Sequence, residues 1–449
     1  MTSTTTSAKP NDRLIRRVAL ASGIGSMLEF YDFYLYGAMS ATIFGALFFN
    51  NQDPAVGTLL ALATFGVGFV ARPLGGIIAG HFGDKFGRKS VLIATLGLMG
   101  ISTVGIGLLP TYDSIGVAAP ILLVTLRVLQ GLAHGGEWGG ASIMTIEHAP
   151  EGRRGFYGSW PQMGIYAGLV LASLVLAGFM LLPKDQFTSW GWRIPFILGA
   201  VLMLIGLWLR RAISESPEFA AAIAAREREG TEGKDRIPLV EALRTGRRGI
   251  LVSFAAKAAE TCTFYLITVF ALTLAKGGAG ETNARSGILI AAALAIVTIG
   301  GFGLLVDRIG TRAVYMGGAA FMVLFAFPFF WLAGAHSRWT LWLALIIGLA
   351  VAHSLMYAAQ ASYFSALFDT TVRFTGASLG YQLGAAIVGG FTPLIAAWLL
   401  LRSGGDTWPI AVYIAGICLV STVVMAVWGK VHNTGTATAV IPTTQEAQP

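Results

Sequence analysis

Long apolar runs broken by short polar segments set the rhythm of this chain. A helix needs about 20 mostly apolar residues to cross a bilayer. Six such runs occupy residues 18–48, 55–79, 90–109, 117–146, 156–182 and 192–210. Six more occupy 250–275, 285–306, 312–334, 339–365, 376–401 and 408–429. Several exceed the minimum, which predicts tilt or extension beyond the membrane. The pattern predicts an all-α membrane protein of twelve transmembrane helices in two pseudo-symmetric six-helix bundles. Segment 1–15 is expected to be a disordered cytoplasmic N-terminus, 16–210 the first bundle and 211–248 a cytoplasmic linker. Segment 249–430 is expected to be the second bundle and 431–449 a disordered cytoplasmic tail. The linker holds the long charged stretch Ala-Arg-Glu-Arg-Glu-Gly-Thr-Glu-Gly-Lys-Asp-Arg.

Composition agrees with this pattern. The chain is 55% hydrophobic and 12% charged, with mean hydropathy +0.68. A soluble domain carries about 25% charged residues, so water alone does not suit this surface. The 57 glycines fit helices that approach closely in a membrane. The polar start, Met-Thr-Ser-Thr-Thr-Thr-Ser, lacks the pattern of a cleavable leader.

Charge placement gives the topology. In a soluble protein a net charge of +8 would point to nucleic acid. Here Lys184, Arg193, Lys276, Arg285, Arg338 and Arg402 lie in one set of loops, and Arg72, Arg127 and Lys257 within spans. The rest of the 31 basic residues fall on the other side, which reads as cytoplasmic. Both termini are then cytoplasmic, and no polynucleotide partner is required. The bilayer is an expected partner, with no required protein partner.

Enzyme chemistry is not expected. Cys262 and Cys418 lie in apolar runs and have no metal-ligand spacing. No phosphate-binding G-x-x-x-x-G-K-[ST] run occurs, which argues against ATP as energy source. No nucleophile elbow or histidine cluster appears. No cofactor and no metal are expected.

A short motif occurs twice. After the second run comes Gly80-His81-Phe82-Gly83-Asp84-Lys85-Phe86-Gly87-Arg88-Lys89, and after the eighth Gly303-Leu304-Leu305-Val306-Asp307-Arg308-Ile309-Gly310-Thr311-Arg312. Both read G-x-x-x-D-[KR]-x-G-x-[RK], and they stand about half a chain apart, as duplicated halves require. The glycines permit tight turns and close packing. The aspartates suit a helix N-terminus. The basic residues can pair with carboxylates on neighbouring helices and latch one conformation. Gly80, Gly83, Asp84, Gly87, Arg88, Lys89, Gly303, Asp307, Arg308, Gly310 and Arg312 are therefore gate candidates.

This repeat resembles the signature of the major facilitator superfamily. Glu29-Phe30-Tyr31-Asp32-Phe33, Arg72-Pro73-Leu74-Gly75-Gly76, Arg127-Val128-Leu129-Gln130-Gly131, Gly135-Gly136-Glu137, Gly191-Trp192-Arg193-Ile194-Pro195-Phe196, Glu215-Ser216-Pro217-Glu218-Phe219 and Gly389-Gly390-Phe391-Thr392-Pro393 narrow it. Together they resemble the metabolite:proton symporter family, over about residues 15–430, with Gly380-Tyr381-Gln382 similar to its shikimate-type members. The resemblance implies proton-coupled import of a small hydroxy- or dicarboxylate by alternating access in a bacterial cytoplasmic membrane. The alternative is a proline or betaine carrier. Its osmosensing members carry a charged coiled-coil tail, and no heptads follow Lys430. A drug antiporter would carry Gly-x-x-x-Gly-Pro in span 5, where this chain has Ser159-Trp160-Pro161-Gln162-Met163-Gly164-Ile165.

Ionisable groups at mid-membrane cost several kcal/mol unless paired or hydrated, so the few present carry information. Glu29 and Asp32 stand three apart on one helical face and repel, which favours holding a proton. The alternative is structural pairing with Arg127 or Arg72. The family's Tyr-Asp-Phe motif favours Asp32. Arg127, Gln130, His134 and Glu137 form one polar stripe on span 4. Arg127 either clasps a substrate carboxylate or neutralises Asp32 or Glu29. His134 either relays protons or is a structural histidine. Glu137 is a gate candidate, a partner for the basic residues of the repeat, or a substrate contact. Lys257 and Glu260 form an intrahelical ion pair, or Glu260 couples protons and faces Asp32 across a central site. Tyr31, Gln162, His353, Tyr357, Tyr381 and Gln382 offer hydrogen bonds to substrate, or serve as packing and interhelical contacts. Arg72, ahead of Pro73, reads as a structural or gating residue in the cytoplasmic third of the membrane.

Overall fold

The computed structural model describes residues 12–216, 218–221, 224, 238–276 and 279–430. Most of the charged linker stretch, the first eleven residues and the tail after Lys430 lie outside the described residues. Among the described residues there is no strand.

Twelve long helices account for the fold. They are α1 (Asp12–Thr42), α2 (Pro54–Phe86), α3 (Arg88–Leu108), α4 (Ala118–His148), α5 (Arg154–Phe179) and α6 (Arg193–Arg211) in the first half. The second half has α7 (Arg247–Phe270), α8 (Glu281–Ile309), α9 (Thr311–Gly334), α10 (Arg338–Ser365), α11 (Arg373–Arg402) and α12 (Trp408–Trp428). Eleven of these are long and apolar enough to cross a membrane, α1 being the exception. Glu29, Asp32 and three tyrosines in the middle of α1 lower its hydropathy.

Packing repeats with a shift of six helices. In the first half α1 packs on α5, α2 on α4, and α3 on α6; in the second α7 packs on α11, α8 on α10, and α9 on α12. The halves meet along two seams related by the same symmetry, α2 against α11 and α5 against α8. The outer faces expose Val70, Val297, Leu324 and Leu401, which suit hydrocarbon. Exposed Trp339, Trp408 and Trp428 stand at helix ends, where membrane interfaces favour them.

Two features depart from the run-and-break reading. The repeated motif is mostly helical: α2 continues through Phe86 and α8 through Ile309, and one residue makes each turn. Gly87 (φ 104°) and Gly310 (φ 93°) adopt a backbone conformation that side chains disfavour. In the second half, α7, α10 and α11 each contain a π-helical stretch: Leu266–Phe270, Ile347–His353 and Ala385–Gly389. Such bulges interrupt the regular ladder and cluster at functional sites. Apolar periodicity does not report them.

Candidate functional site

The cleft between the halves is lined in part by α7, α10 and α11, and Ala385, the first residue of the irregular stretch of α11, reaches it. The cavity volume of the cleft is about 30 Å³, and it is lined by Arg72 of α2, Lys257, Glu260, Phe264 and Tyr265 of α7, Tyr357 of α10 and Tyr381 of α11, among others. Arg72 is held there by a tight α2–α4 contact. A Cβ at Gly135 would run into the Arg72 carbonyl, so only glycine allows this approach. Arg72 is therefore a cleft residue in the middle of α2, which corrects its placement in the cytoplasmic third of the membrane.

The second half supplies a connected polar chain. Lys257 Nζ reaches Glu260 Oε2 at 2.5 Å, and Thr261 Oγ1 donates to the same oxygen at 2.9 Å. His353 Nε2 lies 2.7 Å from Glu260 Oε1, and Tyr166 Oη of α5 lies 2.8 Å from His353 Nδ1. Lys257 also stands over the Tyr381 ring at 3.9 Å. The chain thus crosses from one half to the other through Tyr166.

Arg72 excepted, the first half holds its buried charges apart from the cleft. Thr103 Oγ1 donates to Asp32 Oδ2; Gln130 Nε2 donates to Thr103 at 2.8 Å, and Arg127 Nη1 to Gln130 Oε1 at 3.1 Å. Arg127 lies over Tyr36 and Phe65, 4.3 and 5.1 Å from the ring centroids. Asp32 and Arg127 are almost fully buried and neither lines the cleft, so Asp32 does not face Glu260 across it. Glu29 engages a different partner, His134 Nδ1 at 3.8 Å, and its Oε2 has no hydrogen bond. Span 1 thus sends its two carboxylates to different neighbours.

Other candidates are distributed more widely. Tyr31 Oη donates to the Pro195 carbonyl at 2.5 Å, inside the first half. Glu137 is claimed by Arg210 of α6 and by Thr95, not by the repeat's basic residues. Gln162 accepts from Trp138 Nε1 at 3.3 Å, and Trp138 stacks on Tyr381 with centroids 3.7 Å apart. Gln382 Nε2 donates across the halves to the Gly135 carbonyl at 3.0 Å. The stack and this bond lie between the cleft and the repeat face. Tyr357, Tyr381 and Glu260 line the cleft, His353 adjoins it, and Tyr31, Gln130, His134, Glu137, Gln162 and Gln382 do not line it.

At the repeat face both seams are closed. Asp84 accepts from Phe374 N (3.3 Å), Thr375 N (2.9 Å) and Thr375 Oγ1 (2.8 Å), at the N-terminus of α11. Asp307 accepts from Gly155 N (2.6 Å) and Phe156 N (3.0 Å), at the N-terminus of α5. Free N–H groups and the helix dipole favour a carboxylate there. Close packing makes room: a Cβ at Gly80 would meet Thr375 Cα at 2.8 Å, one at Gly83 the Phe374 ring, and one at Gly303 the Gly155 carbonyl at 3.0 Å.

The basic residues diverge. Fully buried Arg88 pairs with Glu147 at the end of α4 and donates to the Thr370 carbonyl at 3.0 Å. Arg373 bridges Glu147 (2.6 Å) and Glu218 (2.7 Å), and Glu218 also meets Arg154. Lys89 donates to the Arg211 carbonyl, and Arg312 to the Met425 and Ala426 carbonyls, while Arg308 is exposed. Sequence reasoning did not single out Glu147, Arg154, Arg373, Arg210, Thr103 or Tyr166. One signal was present: Arg154 and Arg373 each begin the helix that receives a repeat aspartate.

Comparison with known proteins follows this geometry. The family model described as "Sugar (and other) transporter" matches residues 18–245. The chain is 42% identical over 431 residues to the shikimate transporter of Escherichia coli K12, covering 94% of this chain and 97% of that protein. It is 34% identical over 420 residues to the proline/betaine transporter of the same strain, covering 92% and 83%. Its fold matches the proton:xylose symporter XylE bound to 6-bromo-6-deoxy-D-glucose with a TM-score of 0.77, at 17% identity over 94% of this chain and 97% of that one. The chain belongs to the sugar (and other) transporter family of the major facilitator superfamily, as a multi-pass membrane transporter of small metabolites rather than an enzyme.

Proposed function

We propose that this protein imports a small hydroxylated organic acid together with a proton, by alternating access between its two halves. The observation that carries the reading is the cleft between the halves, where charged and phenolic side chains meet in an otherwise apolar bundle. Burying such groups costs several kcal/mol unless they are paired or hydrated, so their persistence here supports a wet site for a solute or an ion. The 42% identity to a shikimate transporter supports the acid.

In this reading a proton taken up from outside settles on a buried carboxylate. Asp32 is the first choice, with Glu29, Glu260 and His134 as further members of the coupling set. Neutralising an unpaired buried charge lowers the cost of closing the cleft. The substrate then binds, the seams at the repeat face part, the opposite face closes, and both ligands leave inward. The basic loops support a cytoplasmic position for that face and both termini in a bacterial cell. Residues 16–210 and 249–430 act as the rocking bodies, and the single chain suffices.

A second reading has a specific support. Phe30, Phe264, Tyr265, Tyr357 and Tyr381 surround the cleft, and aromatic faces hold quaternary ammonium groups. That favours a betaine-like zwitterion, in line with the 34% relative.

Uptake into proteoliposomes separates these readings. Shikimate is expected to accumulate only with an inward proton gradient and to be displaced poorly by glycine betaine. Accumulation that survives an uncoupler with no pH gradient would contradict symport. Asp32→Asn is expected to abolish accumulation yet retain shikimate exchange; normal proton-driven accumulation removes Asp32 from the role.

A further inference from the structure

Among the cations of the bundle, Arg72 is set apart by what it lacks. Lys257 is matched by Glu260, Arg210 by Glu137, and Arg88 by Glu147. Arg127 is held by Gln130 and lies off the cleft. Arg72 is only 7% exposed, and among the described residues no ion pair or hydrogen bond holds its guanidinium. Its Nη2 is buried with no partner. Phe33 and Phe69 lie on it, each ring centroid 4.8 Å from Cζ. The two rings stand edge-on to one another with centroids 5.1 Å apart, so both lie to one side of the guanidinium, and Arg72 also lines the cleft.

We propose that Arg72, rather than Arg127, binds the carboxylate of the transported solute, and that the cleft selects monocarboxylates over dicarboxylates. The assignment rests on the functional reading above and deepens it. The guanidinium edge presents parallel donors that match a carboxylate's two oxygens, and the two rings hold the group from one side before the solute arrives. Charge arithmetic sets the selectivity. Lys257 and Glu260 cancel, so Arg72 leaves one uncompensated positive charge on the lining. One carboxylate neutralises it. A second would sit unpaired in a site of low dielectric, beside Glu260. The solute's ring and hydroxyls would lie against Tyr357, Tyr381 and Tyr265.

The test compares an acid with its uncharged ester. Equilibrium binding of shikimate, methyl shikimate and succinate is measured on purified wild-type, R72Q, R72K and R127Q proteins, with thermal unfolding as a control for folding. Wild type is expected to prefer shikimate over its methyl ester and over succinate. R72Q is expected to lose about 30-fold in shikimate affinity, since hydrogen bonds to a charged partner carry such a factor, while ester binding stays within about twofold. R72K keeps the charge and loses the fork, and is expected to lose about fivefold. The assignment is overturned if R72Q keeps the acid preference, if R127Q alone loses it, or if succinate outcompetes shikimate in the wild type. Should R72Q fail to fold, an unchanged shikimate affinity in R72K overturns the forked contact. Wild-type vesicles that transport neither organic acids nor betaine sink the functional reading and this assignment together. Wild-type transport with an unaltered acid preference in R72Q sinks the assignment alone.

Discussion

The α2–α11 seam and the α5–α8 seam grow from the same ten-residue motif, yet they close the molecule with different forces. In each, an aspartate at the end of one helix caps the N-terminus of a helix in the other half. In the first seam the residue after the turn is Arg88, buried against Glu147 and linked through it to Arg373. In the second, the equivalent residue is Thr311, and no buried ion pair forms there among the described residues. A duplicated motif therefore supplies the shared cap, and a single substitution within it decides which seam carries charge in a dry place. Buried pairs are costly to break by halves, whereas partly exposed caps are not. The first seam is therefore expected to hold the more strongly.

Spin labels at exposed Lys85 and Arg308 would report opening of the repeat face, and the comparison predicts graded effects. Glu147→Ala leaves Arg88 buried without its carboxylate, at a cost of about 3–5 kcal/mol. The label distance is expected to shift almost wholly to the open population; an unchanged distribution would show that the Arg88 network does not hold the seam. Asp84→Asn should come next, at about 2 kcal/mol, because three donors lose a charged acceptor. Asp307→Asn removes only two backbone contacts at a half-buried site, and about 1 kcal/mol is expected. If Asp307→Asn opened the face more than Asp84→Asn, the ranking of the seams would be reversed. Arg312→Ala should have the smallest effect, under about 1 kcal/mol, since Arg312 only caps carbonyls at the end of α12 within its own half. Shikimate uptake should fall in the same order, because a carrier that does not reclose its inner face cannot complete the cycle.

The cleft shows the limits of spacing arguments. Glu29 and Asp32 lie three residues apart, so periodicity groups them. Their side chains nevertheless diverge to His134 and Thr103, because α3 and α4 flank α1 on different sides. Arg127, Gln130 and Glu137 share a stripe on α4, but Arg210 of α6 takes Glu137 while Thr103 of α3 takes Gln130. Arg72 looked peripheral because it ends an apolar stretch ahead of a proline, although it stands mid-helix at the cleft. Conversely, Glu147 and Arg373 are ordinary charged residues in the sequence, and they become a latch only when α4 and α11 meet.

Sequence alone determined the twelve apolar runs, the duplication and many of the charges buried in them. Those follow from local physics: a membrane span must be long, apolar and hydrogen-bonded within itself. Tertiary structure decided which buried charge meets which, that Arg72 rather than Arg127 faces the cleft, and where α7, α10 and α11 depart from the regular helix. A helix presents every side of its surface at once, and only the neighbours it packs against select which side chains are paired, which face lipid and which are left with an unfilled valence toward the space between the halves.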